Sequence, residues 1–355
     1  MGILLAMQGA VSQGILWSVM ALGVFITFKV LDCADMTVDG SFALGGAVSA
    51  VLIIKGVNPF LSLAVAVLAG MVAGVVTAIL NTKLQIPILL AGILSQLALY
   101  SINIRVMGQP NTPLNGETTI ITVLTELLPF QKSVVTMLVG IVIVVALIAL
   151  LYWFFGTEIG CAIRATGNNE YMVRALGGNT DFMKIIGLLL GNGLVALSGA
   201  LVAHSQGYAD VQMGQGAIVI GLASIIIGEV IFDFLTSIFN FTLSFAHKLA
   251  SVVIGSILYR LIIAIVLQLG LKSTDLKLLT ATIVAAALAL PVIKKKISPI
   301  ALRVTGILLV LAVVALSAYK QTLNLPILIL AVVLIALLAF SIFRQISTQK
   351  KIAAH

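Results

Sequence analysis

Charged residues are what this chain most lacks. Asp, Glu, Lys and Arg together make up 9% of its 355 residues, where a water-soluble domain carries roughly 25%. With 61% hydrophobic residues and a mean hydropathy of +1.22, too little polar surface remains to cover a soluble globule. A bilayer removes that requirement. Cysteine is nearly absent: Cys33 and Cys161 lie far apart and match no metal spacing. Both read as small packing residues rather than a disulfide. The chain has no HExxH and no plausible Ser–His dyad near His204, so an intramembrane enzyme finds no support. It has no Walker A pattern either, so ATP chemistry belongs elsewhere. No basic residue precedes the first apolar stretch, and Ala6 stands where a myristoylation signal has Ser or Thr. Neither a cleaved signal peptide nor an acyl anchor is expected.

What the chain does have is long apolar runs. A spanning helix needs about 20 apolar residues, and candidates lie at 12–31, 59–80, 86–104, 133–155, 184–205, 215–232, 249–270, 277–293, 301–319 and 325–343. A shorter run, 40–54, fits a broken or re-entrant element. The expected fold is an all-α polytopic membrane helix bundle of about 9–11 transmembrane helices. Its net charge of +8 falls between apolar runs, which sets orientation and speaks against nucleic-acid binding. Arg164, Arg174 and Lys184 mark the 156–183 loop as cytoplasmic, Lys294–Lys296 and Arg303 mark a second inner loop, and Arg344, Lys350 and Lys351 mark the C-terminal end. Lys248 falls inside with them, and the linkers 206–214 and 321–324 fall outside. The side of the N-terminus stays open, because it depends on whether 40–54 or 118–130 crosses.

Small residues stand at packing spacing, Gly70 with Gly74 and Gly187 with Gly191, followed by Ala196, Gly199, Ala200 and Ala203. Close backbone approach supplies packing energy in lipid. A faint repeat is visible as well: Ala34-Asp35 and Ala209-Asp210 each open a Gly-rich apolar element, and at the same offset Gly46 meets Gly221 and Ser49 meets Ser224.

Polar residues enter the membrane in three places. Asp32, Asp35, Thr37, Asp39 and Ser41 run directly into 42–54. Carboxylates there must face water, a cavity or a helix N-terminus, so the segment is either a capped turn or a pathway lining. His204, Gln206, Tyr208, Asp210 and Gln212 join two spans, with the same two readings. Within spans stand Gln96, Asn103, Asn192 and Glu229; Glu229 reads as holding a helix end near the cytoplasmic interface. The third and sharpest constellation runs from Glu158 to Asp181. Asn168 suits an N-cap and Gly177-Gly178 a helix stop, leaving a helix of about two turns between them. Tyr171, Met172, Ala175 and Leu176 form one face, and Glu170 pairs with Arg174 on the other. A helix this short is marginal alone and is expected to pack against something.

The stretch ATGNNEYMVRALGGNTDFMK, followed by GLLLGNGLVALSGALVAHSQGYADVQMGQGAIVIGLASIIIGE, resembles the permeases of bacterial ABC importers for branched-chain amino acids and ribose. The likeness is strongest to the branch associated with tryptophan- and tyrosine-type binding proteins. DMTVDGSFALGGAVSA, GSILYR at 255–260 and STDLKLLTA at 273–281 match the same branch, and the resemblance covers roughly 10–293. It implies a permease domain over 1–293 in the bacterial cytoplasmic membrane. Two copies, most simply a homodimer, form the pathway within the membrane lipid. A separate cytoplasmic ATPase carries the ATP-Mg, so this chain holds no cofactor, and an extracellular binding protein or lipoprotein delivers the solute. Residues 168–177 become the coupling helix, with Asn169, Glu170, Tyr171, Met172, Arg174, Ala175, Leu176 and Gly177 facing the ATPase. Asp35, Thr37, Asp39, Ser41, Gln96, Asn192, His204, Gln206 and Asp210 become the translocation path. The chain departs from the family in 231–248, aromatic-rich rather than basic, and in 294–355, which adds two apolar segments and a tail. An ion- or proton-coupled secondary transporter is the alternative, with Glu229 or Asp35 as its ionisable group.

Overall fold

A computed structural model describes residues 2–127, 131–239 and 244–268, together with a few positions between 278 and 285. The chain divides into two units, Met1–Phe232 with Leu243–Val284, and Asp233–Thr242 with Ala285–His355. The first holds nearly all the described residues. The candidate spans 301–319 and 325–343, most of 277–293, the added segment 294–355 and its basic residues lie outside them.

The first unit is a helix bundle. Its elements are α1 (Gly2–Val24) running into a π-helical stretch (Phe25–Val30), α2 (Thr37–Ile54), α3 (Pro59–Thr82), α4 (Ile88–Met107), α5 (Ile120–Leu127) and α6 (Lys132–Gly156). Then come α7 (Glu158–Asn168), α8 (Glu170–Ala175), α9 (Thr180–Gln206), α10 (Ala217–Phe239) and α11 (Phe245–Gln268). Two three-residue strands, β1 (Asn111–Pro113) and β2 (Tyr208–Asp210), pair antiparallel with Thr112 opposite Ala209. Among the described residues, seven helices are long and apolar enough to cross a membrane: Ala6–Val30, α2, α3, α4, α6, α9 and α11. The 40–54 run is thus part of an 18-residue helix, whereas α5, with eight residues, reaches only about 12 Å and cannot cross. Five spans therefore precede the basic 157–179 segment. An odd number of candidate spans thus separates the N-terminus from that segment.

Helix α9 is the centre of the bundle. On one side the α3 glycines meet it, Gly74 against the Leu188 carbonyl and Gly70 against Asn192 and Ala196. On another, Gly45 of α2 abuts the Ala196 carbonyl and Gly199 of α9 abuts the Phe42 carbonyl. Gly187 and Gly191 receive Leu31 and Thr27 from the end of α1. The expected small-residue faces are thus the seams along which backbones touch. With no hydrophobic drive between helices in lipid, such contact carries the association.

Residues of the two faintly similar segments meet across the bundle. Adding 175 to the residues of α1 gives 177–199, which covers most of α9, and adding it to α2 gives 212–229, which covers the preceding loop and the first part of α10. Ser198 donates to the Leu16 carbonyl at 2.8 Å, and the equivalent pair, Gly23 with Gly191, is also in backbone contact. Gly46 lies against Gly199, and its equivalent Gly221 against Val24. Asp39 and Gly214 are each other's equivalents, and they touch. The contacts show that α1 and α9 run in opposite directions.

Candidate functional site

The chain reverses sharply after α1. Leu31 donates its amide to Ile26 and Cys33 to Thr27, and Asp32 takes a left-handed φ of 55°, which lets 32–36 turn back before α2 begins. Asp35 then caps α2: its Oδ1 accepts from the Thr37 amide at 2.9 Å and its Oδ2 from Asn192 Nδ2 at 2.7 Å. Ser41 donates to Asn192 Oδ1 at 2.7 Å, and Thr37, Thr77 and Ser95 continue the chain of bonds at 2.8 and 2.7 Å. Every member is buried. The network ties α2, α3, α4 and α9 together within one chain. Low dielectric strengthens such bonds and makes a missing partner costly.

One turn on, the half-buried Asp39 caps a second helix start. Its carboxylate accepts from the Gly216 amide at 2.9 Å and the Ile218 amide at 3.0 Å, where an acceptor meets both the unpaired amides and the helix dipole. Gln96 is half-buried beside Gly40. At the C-terminal end of α9, Gln206 is exposed beside a cavity shared with Glu117, Glu126, Lys132 and His204. Asp210 accepts from the Gln212 amide at 2.6 Å.

His204 corrects one expectation, because it does have a serine partner, Ser49, at 2.7 Å. The arrangement still does not activate a nucleophile. Nδ1 accepts from the Ile120 amide at 3.4 Å, so in the neutral ring Nε2 carries the proton and donates to Ser49. Ser49 bonds onward to Ser62 at 3.0 Å. Glu229, read as holding a helix end, forms an ion pair with Lys29 at 2.9 Å. No metal-binding group of three His, Cys, Asp or Glu occurs among the described residues.

The 158–181 segment folds as two short helices. Asn169, not Asn168, is the N-cap of α8, accepting from the Met172 amide at 3.0 Å. Asn168 instead ends α7, because that helix, capped by Thr157, continues past Gly167. Gly167 has no room for a side chain: its Cβ would strike the Val30 carbonyl and lie 2.9 Å from Leu31 Cα. At the other end, Gly177 adopts φ 83°, and the amides of Gly177 and Gly178 bond to the carbonyls of Arg174 and Val173. This double closure suits glycine in the left-handed region.

The anchoring of α8 is polar. Glu170 accepts from Arg174 and Lys184, both at 2.7 Å, and Arg174 also reaches Asp181 at 3.1 Å and Thr180 at 2.6 Å. Partial burial pushes the Glu170 carboxyl upward, but Lys184 and Arg174 outweigh it and hold it below its ordinary range. A depressed carboxyl contributes stability above the ordinary carboxylate pKa that is lost as pH falls through its folded value. Glu170→Gln should therefore loosen this corner by about 1 kcal/mol, seen at pH 7 as faster amide exchange over 170–181. Wild type should approach the variant's rate only in acid.

Only Val173 of α8 is buried. Tyr171 is 85% exposed, Leu176 79% and Met172 52%, with Ala175 exposed between them. The apolar face expected to pack is open. Thr77, Ser95, Ser49 and Ser62 were not foreseen as network members; their only sequence signal is to be isolated hydroxyls in apolar spans.

The family described as branched-chain amino acid transport system / permease component matches residues 6–289. A tyrosine transport system permease protein of Clostridioides difficile (strain R20291) is 39% identical over 286 residues, 80% of this chain and 91% of its own. The uncharacterized protein RP368 of Rickettsia prowazekii (strain Madrid E) is 32% identical over 282 residues, 79% of this chain and 95% of its own. Among solved structures, PsaBC from Streptococcus pneumoniae in complex with Fab covers 72% of this chain and 88% of its own. Its TM-score of 0.33 and 18% identity are too distant to carry an argument. The chain belongs to the permease family of branched-chain amino acid transport systems.

Proposed function

We propose that this multi-pass protein of the bacterial cytoplasmic membrane is the pathway-forming subunit of an ATP-driven importer, and that α8 is its coupling helix. The observation that carries the reading is the exposed Tyr171–Met172–Leu176 face on a helix fixed by Glu170, Arg174 and Lys184. An apolar patch held rigidly out of the bundle on the positive, cytoplasmic side suits a cleft in a separate ATPase. ATP and magnesium belong to that partner, and this chain is not catalytic. The solute is an amino acid, a reading supported by the family description and by the tyrosine transport system relative. A second copy of the chain completes the pathway, and an extracellular binding protein or lipoprotein delivers the solute.

Asp35, Thr37, Ser41, Asn192 and His204 spend their hydrogen bonds inside one chain. We therefore assign them to holding α2 against α3, α4, α5 and α9, and place the route along the partly exposed Asp39 and Gln96, with Gln206 and Asp210 towards its outer end. The ion-coupled alternative draws no support from its two candidate groups, since Glu229 is paired with Lys29 and Asp35 accepts from Thr37 and Asn192.

Affinity purification of the tagged chain from its native membrane, followed by mass spectrometry, tests the reading. A stoichiometric ATPase is expected. A clean preparation without one, under conditions that preserve a control importer, overturns it in favour of secondary transport.

A further inference from the structure

The GSILYR motif ends in a cation, Arg260, that has no anionic partner among the described residues. Arg260 lies 15 residues into α11, about 22 Å from its start, and Trp17 is likewise deep within α1. The guanidinium carbon stands 4.1 Å from the Trp17 ring centroid, so the two side chains form one local site. A cation on an aromatic face is a recurrent pairing, but it leaves the N–H groups unused. Arg260 Nε is buried without a hydrogen-bond partner, and so is Trp17 Nε1, on a residue only 7% exposed. Phe42 closes on the Trp17 ring, with centroids 4.8 Å apart. Both orphan atoms are donors. What is missing is an acceptor.

The chain itself offers little. The ion pairs among the described residues, Lys29–Glu229, Arg174 with Glu170 and Asp181, and Lys184–Glu170, leave Arg260 out. Beyond Asp233 the sequence holds a single carboxylate, Asp275, outside the described residues. A charge within a span is expensive and marks a pathway when nothing neutralises it. Arg260 keeps part of its surface open. A planar fork of N–H donors beside an indole N–H matches an oxyanion with two acceptor atoms.

We propose that Arg260 and Trp17 form an intramembrane oxyanion site that takes the carboxylate of the transported solute. The proposal rests on the permease reading and deepens it by naming the two side chains that meet the solute's carboxylate. A lipid phosphate offers the same chemistry, and the test separates the two.

The sequence has two tryptophans, and Trp153 is 70% exposed, so Trp153→Phe leaves Trp17 as the sole indole reporter. In nanodiscs of neutral phosphatidylcholine, acetate and leucine should shift Trp17 emission saturably, whereas leucinamide should not. Arg260→Gln should weaken the response about 10- to 100-fold, the loss of a charge-assisted hydrogen bond, and Arg260→Lys should fall between. Three results overturn the proposal: no response to either carboxylate, the same response in Arg260→Gln, or a response that follows added phosphatidylglycerol instead. A response seen only in Asp275→Asn overturns it too, by assigning the site an internal partner. Because the reporter needs neither ATPase nor binding protein, it stands or falls apart from the co-purification result.

Discussion

Leu176→Asp is expected to bring uptake by the assembled transporter down to background while the protein stays folded and inserted. Leu176 is 79% exposed, so its side chain contributes little to the chain's own fold, and substitutions of that kind stay within about 0.5 kcal/mol. An Asp at a helix C-terminus adds an unfavourable dipole contribution of about 0.3–1 kcal/mol, still small against a bundle held by backbone contact. In an ATPase cleft the same change buries an unpaired carboxylate. Central contacts of that type cost 2 kcal/mol or more, and the expected loss of ATPase affinity is about 30-fold at the least. Tyr171→Asp controls for the helix itself. It places a carboxylate in the first turn of α8, where the dipole favours it, so any loss of coupling there reflects docking rather than melting. Reconstituted uptake, ATPase co-elution and gel-filtration profile are the three readings. Wild-type uptake in both variants would remove the coupling role from α8.

Asn192→Leu should damage the fold instead. Asn192 gives one amide hydrogen to Asp35 and bonds to its own Leu188 carbonyl, while its Oδ1 receives Ser41. Leucine leaves an Asp35 oxygen without that donor and Ser41 without that acceptor, all of them buried. An unsatisfied buried group costs about 1–3 kcal/mol, and more when charged, so the expected loss is about 3–5 kcal/mol. Gly74 packs closely against this part of α9, which leaves a leucine at 192 little room to repack. Ser41→Ala, which removes one partner and keeps the Asp35 bond, should cost about 1 kcal/mol. Thermal unfolding in detergent, with monodispersity as the second reading, checks both. A wild-type melting temperature for Asn192→Leu would mean that the network is not what holds α2 to α9.

The spans were legible because lipid imposes a length and an apolarity that few other constraints disturb. The runs 59–80, 86–104 and 133–155 become Pro59–Thr82, Ile88–Met107 and Lys132–Gly156. The Glu170–Arg174 pair was legible too, since i,i+4 spacing is local. The N-cap shifted by one residue because Asn168 and Asn169 are chemically equivalent, and only the packing of Gly167 on the end of α1 decides between them. The hydroxyl network was not legible. Thr77 can bond its own Ala73 carbonyl as well as Ser95, and nothing in the sequence around it says which partners lie across the helix.

The contact between Asp39 and Gly214 has a geometric consequence for motion. The Asp39 carboxylate accepts from the Gly216 and Ile218 amides, and Gly214 lies against the Asp39 backbone, so the first turns of α2 and α10 are fastened at one point. A displacement that parts them strips two amides of their acceptor at once, whereas a tilt about the fastening leaves both bonds in place. The Asp39 cap therefore acts as a rivet between two helix starts: it opposes separation and tolerates rotation.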